Sequence, residues 1–163
     1  MKKIISILGT ITLIGTSTTS LVACNTPQYS EEQLKEQKEK HNLNINGNIL
    51  EWISPQEKPF NKVDNKYYFA VWRGNKTDDW KIIKFLNDTN NEKKIDDYNK
   101  YSLVFKPPRF RYYTLLIKEG IISTNHTWHA DDGSYFKSVY RWNKDIDVPN
   151  LVIDENGNIK VNT

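Results

Sequence analysis

The stretch NLNINGNILEWI, residues 42–53, decides how the rest of the chain is read. Asn46-Gly47 is the pair that a two-residue type I′ hairpin turn selects, because both central positions need a positive φ. Folding the chain about that pair sets Ile45 against Asn48 and Leu43 against Leu50. Side chains alternate along a strand, so Leu43, Ile45, Leu50 and Trp52 then share one face. Turn chemistry and hydrophobic pattern agree, and both point to antiparallel sheet.

The same device recurs near the C-terminus, where LVIDENGNIKV (151–161) predicts a second hairpin about Asn156-Gly157. Between the two lie five aromatic and β-branched runs: KYYFAVWR (66–73), WKIIKFL (80–86), YSLVF (101–105), RYYTLLI (111–117) and SYFKSVYRW (134–142). Such composition suits a pleated, half-buried surface, so each is read as a strand. The run 80–86 also fits a short helix capped by Thr77 or Asp78. The polar segments GNKTDD (74–79) and NDTNNEKKIDDYNK (87–100) read as loops. The expected fold is mainly β, or α+β: an antiparallel sandwich or barrel-like domain over residues 43–163. YYFAVWRGN and YFKSVYRWN resemble each other over too short a span to define a repeat.

Ahead of this domain, Ser30-Glu31-Glu32-Gln33 matches a capping box and predicts a helix running to Lys40. Leu34 is its one aliphatic residue, so it has no apolar stripe to bury. Residues 24–42 are therefore read as a polar tether. Residues 1–23 have the layout of an export signal: Met1-Lys2-Lys3, an apolar run from Ile4 to Ile14, then a Gly/Ser/Thr-rich stretch ending in Leu21-Val22-Ala23-Cys24. A transmembrane anchor would need roughly 20 apolar residues. The uncharged stretch here is rich in Ser and Thr, which favours a cleaved signal.

Leu21, Ala23 and Cys24 fill the places of a bacterial lipobox: Leu, a variable residue, a small residue, then Cys. The leader resembles the lipoprotein signals of mollicutes, spiroplasmas in particular. That resemblance implies cleavage between Ala23 and Cys24, a diacylglyceryl group on the Cys24 sulfur, palmitate-type acylation, and display on the outer face of the cell membrane. A thiolate is the chain's best nucleophile, and two acyl chains anchor stably where one is marginal. GSYFKSVYRWN (133–143) and PNLVIDENGNIKVN (149–162) resemble the C-terminal ends of spiroplasma lipoproteins, a likeness that implies no particular activity.

Cys24 is the single cysteine, so once it is lipidated the domain has no disulfide and must rely on packing. Loss of Lys2 and Lys3 with the signal takes the formal charge from +3 to +1, which leaves no bulk nucleic-acid footprint.

Several clusters invite a chemical reading. NHTWHADDG (125–133) holds His126, His129 and Asp131, three residue types that bind divalent metal. Asp132-Gly133 is a hairpin turn pair, which would make 126–131 and 134–139 partner strands. Positions three apart on a strand face opposite ways, so the two histidines would not share an ion. DENGN (154–158) has Asp154, Asn156 and Asn158 at calcium-loop spacing, but its glycine falls at the fourth place rather than the sixth. Ser123, His126 and Asp131 supply triad residue types without a nucleophile elbow. The acid pairs Asp78-Asp79, Asp96-Asp97 and Asp131-Asp132 are adjacent and diverge in strands. KPPRFRYY (106–113) mixes Lys106, Arg109 and Arg111 with aromatics, which suits single-stranded nucleic acid or anionic headgroups, and equally a strand with one wet and one buried face.

The aromatics carry the functional expectation. Five Trp and nine Tyr give many apolar faces with polar tips, suited to recognising glycans or protein surfaces. Trp72, Trp128 and Trp142 lie near turns or strand ends and are the candidate ligand-binding residues, the alternative being that they fill a β core. The sequence thus points to a lipid-anchored surface module that binds a host glycan or protein, without catalysis, metal, cofactor or nucleic acid. A surface-displayed hydrolase and a structural coat protein are the alternatives.

Overall fold

A computed structural model describes residues 27–106, 114–120 and 122–162. The leader, Ala23 and Cys24 lie outside these, as do Arg109, Arg111 and the aromatics of the 106–113 stretch. Among the described residues one helix, α1 (Glu31–His41), precedes the strands β1 (Leu43–Ile45), β2 (Asn48–Trp52), β3 (Tyr67–Trp72), β4 (Lys81–Leu86), β5 (Lys93–Tyr98), β6 (Tyr101–Lys106), β7 (Thr114–Glu119), β8 (Ile122–Thr127), β9 (Phe136–Trp142), β10 (Leu151–Ile153) and β11 (Ile159–Val161). No helix among the described residues is long and apolar enough to cross a membrane.

The opening hairpin forms as its turn chemistry demands. Asn46 and Gly47 both have positive φ, 50° and 81°, and β1 pairs β2 with Leu43 opposite Leu50 and Ile45 opposite Asn48. The closing hairpin β10–β11 also forms, but about a wider turn: Ile153 faces Ile159, Gly157 N–H donates to the Asp154 carbonyl at 2.9 Å, and Gly157 (φ 78°), not Asn156, takes the positive φ. The 80–86 run is strand β4 rather than a helix, paired along its whole length with β3.

The strands make two antiparallel sheets, β1-β2-β9-β3-β4 and β5-β6-β7-β8, with β10–β11 as a separate ribbon. Between the sheets Tyr68, Ala70 and Trp72 of β3 and Val139 of β9 meet Leu103 and Phe105 of β6 and Leu115 and Ile117 of β7. On the other face of the larger sheet Ile45, Leu50, Phe69, Tyr140 and Trp142 pack with Leu151 of the C-terminal ribbon. Strand β3 is therefore covered on both sides, and every residue from Tyr68 to Trp72 is buried. Two-sided cover explains why its sequence is a continuous apolar run and not an alternating one.

Two expectations are corrected. Strand β5 runs through the segment read as loop. It is the edge of its sheet, its charges keep that edge from further pairing, and a register shift between Lys94 and Asp96 interrupts it. The Asp132-Gly133 hairpin is the second. Thr127 ends β8, which pairs β7; Trp128–Ala130 is a 3-10 turn; and β9 crosses to the other sheet, inserted between β2 and β3. Asp131 stabilises this crossover: its carboxylate accepts the N–H groups of Gly133 (2.8 Å), Phe136 (3.1 Å) and Tyr135 (3.3 Å).

Helix α1 has the expected cap, with Gln33 N–H on Ser30 Oγ and Ser30 N–H on Gln33 Oε1, and it buries no residue. Polar contacts nonetheless join it to the sheet. The Lys38 ammonium bridges Glu51 at 2.5 Å and Glu57 at 2.7 Å.

Candidate functional site

Trp52 ends β2 two positions beyond the last residue paired with β1, so its own hairpin does not cover it. The chain before α1 fills part of that gap. Tyr29 meets the Trp52 ring edge-on, with centroids 6.4 Å apart, and His41 packs against it at 5.2 Å. The Tyr29 backbone is held in turn by one side chain: its N–H donates to Gln56 Oε1 (2.7 Å) and its carbonyl accepts from Gln56 Nε2 (3.0 Å). Asn42 Oδ1 accepts the Trp52 N–H at 2.7 Å and fixes the strand end.

Beside this aromatic pair lies a half-open cleft of about 210 Å³, lined by Pro27, Tyr29, Trp52, Ser54, Asp132 and Lys137 among others. Lys137 reaches it through a bulge. Where β9 pairs β3, Val71 faces Ser138 and Trp72 faces Phe136, which leaves Lys137 without a partner and re-aims it. The Asp132 carboxyl is held below the usual carboxylate range by hydrogen bonds from Ser134, so the cleft carries charges of both signs. Ser54 is fully buried and its Oγ has no hydrogen-bond partner among the described residues.

A second polar constellation sits between α1 and the sheets. Glu51 accepts from Lys38, from Arg141 Nη2 (2.7 Å) and Nε (3.2 Å), and from Asn143 (3.0 Å). Burial opposes its charge, but the Lys38, Asn143 and Arg141 donors outweigh that and hold its pKa at about 2. Burial, with Asp64 hydrogen-bonded to its hydroxyl at 2.8 Å, pushes the Tyr68 phenol up. These groups satisfy one another's hydrogen bonds and tie α1 to the larger sheet, a structural role.

Of the candidate tryptophans, Trp128 lines the cleft, and Trp72 and Trp142 do not. Trp72 and Trp142 are 0% and 1% exposed, and Trp128 is buried with its ring 5.7 Å from Phe60. The Trp72 indole N–H donates to Asp96 across the sheets (3.1 Å), and that of Trp142 to the Ile146 carbonyl (3.2 Å). The polar tips of Trp72 and Trp142 are thus engaged, and all three side chains are buried, as the core-filling alternative expects. Trp52 and Tyr29, read from sequence as hairpin core and tether, are the half-exposed aromatics that come together. The signal that could have found Trp52 was the hairpin register itself, which runs out of partner at Leu43.

The remaining clusters resolve into structure. His126 stacks on Tyr135 at 3.6 Å, and His129 Nδ1 lies 3.4 Å from Thr114 Oγ1, its pKa lowered by burial. No group of three His, Cys, Asp or Glu among the described residues is placed to hold a metal ion. Asp154 accepts the N–H groups of Asn156 and Asn158, both at 2.9 Å, and so makes the DENGN turn. Asp96 and Asp97 diverge as strand neighbours must, one to Trp72 and Lys81, the other to Lys94 and Ser102. The Ser123 side chain lies outside the described residues.

Comparison with known proteins gives one link. Over 93 residues the chain is 26% identical to the uncharacterized protein ORF1 of Spiroplasma virus SpV1-R8A2 B, a match that covers 57% of this chain and 8% of that protein. The similarity supports a spiroplasma-related origin and carries no activity with it. No protein-family model and no solved structure matches the chain.

Proposed function

We propose that this protein is a lipid-anchored surface module, acylated at Cys24, whose β domain binds a small ligand in the Tyr29–Trp52 cleft and performs no chemistry of its own. One observation carries the binding reading. Trp52 and Tyr29 are half-exposed and meet on the wall of a concave site that also bears a carboxylate and an ammonium. A rigid aromatic wall with polar groups around it is the composition of a recognition site. At about 210 Å³ the cleft falls below the roughly 300–1,000 Å³ that suits drug-sized molecules, so it takes one small unit: a sugar ring, a peptide side chain or a headgroup. Its acids support binding and not catalysis, because Asp131 is committed to three backbone N–H groups.

The test is a thermal-shift series on the purified protein and on Trp52→Ala, with glycans, small zwitterions, divalent metals and chelator. A ligand at a hundredfold excess over its Kd stabilises by about 2.7 kcal/mol, a shift of several degrees. A shift lost in Trp52→Ala supports the site. A metal shift reversed by chelator would favour the hydrolase reading instead. The anchor is tested separately, by whether Cys24→Ser moves the protein from the detergent phase to the aqueous phase.

A further inference from the structure

We infer that the Tyr29–Trp52 cleft faces the membrane that anchors the chain and takes a zwitterionic phospholipid headgroup there. The inference rests on the lipid-anchored reading above and names the ligand of that site. Its first support is chain length. Pro27 and Tyr29 line the cleft, three and five residues beyond Cys24. A fully extended chain spans at most about 3.6 Å per residue, so Pro27 lies within about 11 Å of the acylated residue and Tyr29 within about 18 Å. Headgroup layers are themselves about 5–7 Å deep on each side of the hydrocarbon core. Residues 27–41 add no reach, because Gln56 clasps the Tyr29 backbone and Lys38 is bridged to Glu51 and Glu57. The helix is thus not a spacer that lifts the domain; the domain rests against the bilayer with its cleft beside the anchor.

The second support is the chemistry of the lining. A quaternary ammonium has no N–H to donate and is held by aromatic faces and a negative charge, here Tyr29, Trp52 and the exposed Asp132 carboxylate. A phosphate needs a cation, and the bulge presents the exposed Lys137 to the same cleft. An anionic headgroup would find Lys137 but meet Asp131 and Asp132 as well, which selects for the zwitterion.

The full lipidated chain in phosphatidylcholine nanodiscs, with a nitroxide on the headgroup, gives the first readout. Tryptophan emission should be quenched, and most of that quenching should vanish in Trp52→Phe. If the chain enters the nanodisc and both proteins are quenched alike, the membrane-facing cleft is overturned while the anchor stands. If the chain stays out of the nanodisc, the anchor reading fails and this inference falls with it. Soluble phosphocholine gives the second readout: a saturable emission change, weakened at least tenfold in Asp132→Asn and in Lys137→Glu, and not reproduced by glycerol phosphate. No saturable change, or an equal response to glycerol phosphate, overturns the headgroup assignment.

Discussion

Replacing Glu51 with Gln tests the reading of the Lys38–Glu51–Arg141 network. The glutamine keeps the shape and one acceptor but removes the charge that three donors converge on. The Glu51 pKa falls from 4.5 to about 2 in the folded protein. At 1.36 kcal/mol per pH unit that gap has a ceiling of about 3 kcal/mol. Its side chain retains 17% exposure, so solvent screens part of the interaction and about 2 kcal/mol is the working figure. For a domain of this size that amounts to a fall in Tm of about 6 °C at neutral pH. The sign with pH follows from the depressed folded value. The stabilisation is complete above the unfolded pKa, near 4.5, and is lost as pH falls through about 2. Unfolding followed by tryptophan emission at pH 7, 4 and 2.5 should therefore show a gap between wild type and Glu51→Gln that closes as pH drops. A gap that stays constant across that window would refute the electrostatic argument and leave only lost packing.

Other substitutions separate space from strain. A Cβ on Gly74 would lie 2.2 Å from Tyr101 Cδ2, so Gly74→Ala should cost about 1–3 kcal/mol in chemical denaturation. Gly47→Ala meets nothing within 4 Å but must hold φ 81°, so about 1 kcal/mol is expected there. The order Gly74 over Gly47 is the checkable result. Asp131→Ala strips three backbone N–H groups of their acceptor and should lower Tm by at least several degrees, with β9 amides exchanging faster by hydrogen–deuterium exchange. Ser54→Ala removes a buried hydroxyl without a partner, so Tm should stay level or rise by a few degrees, the reverse of an ordinary core truncation.

Both hairpins were legible because turn chemistry is local, and at Asn46-Gly47 the backbone signs and strand register follow as well; at Asn156-Gly157 the register differs, because Asp154 draws the turn wider. The β-rich runs were legible from their composition. Strand β5 was not, because an edge strand needs little apolar content and KKIDDY offers only Ile95 and Tyr98. The crossover at 128–135 was not, because Asp132-Gly133 is a good turn pair wherever it stands. Which strand β9 joins depends on β2 and β3, some 65 to 90 residues earlier. The site suffered the same fate. Turn-side tryptophans were visible, but whether sheet packing encloses or exposes them is a long-range property. Trp52 and Tyr29 become neighbours only once α1 docks.

The insertion of β9 between β2 and β3 also sets an order of events during synthesis. The larger sheet has a two-strand piece, β1–β2, and another, β3–β4, which do not touch until the strand ending at Trp142 arrives to join them. Such long-range closure is slow compared with hairpin formation. Until it happens both pieces present unpaired backbone to any passing chain. A chain cut short before Phe136 would keep those two open edges permanently, so premature termination should yield aggregates and not a smaller soluble domain.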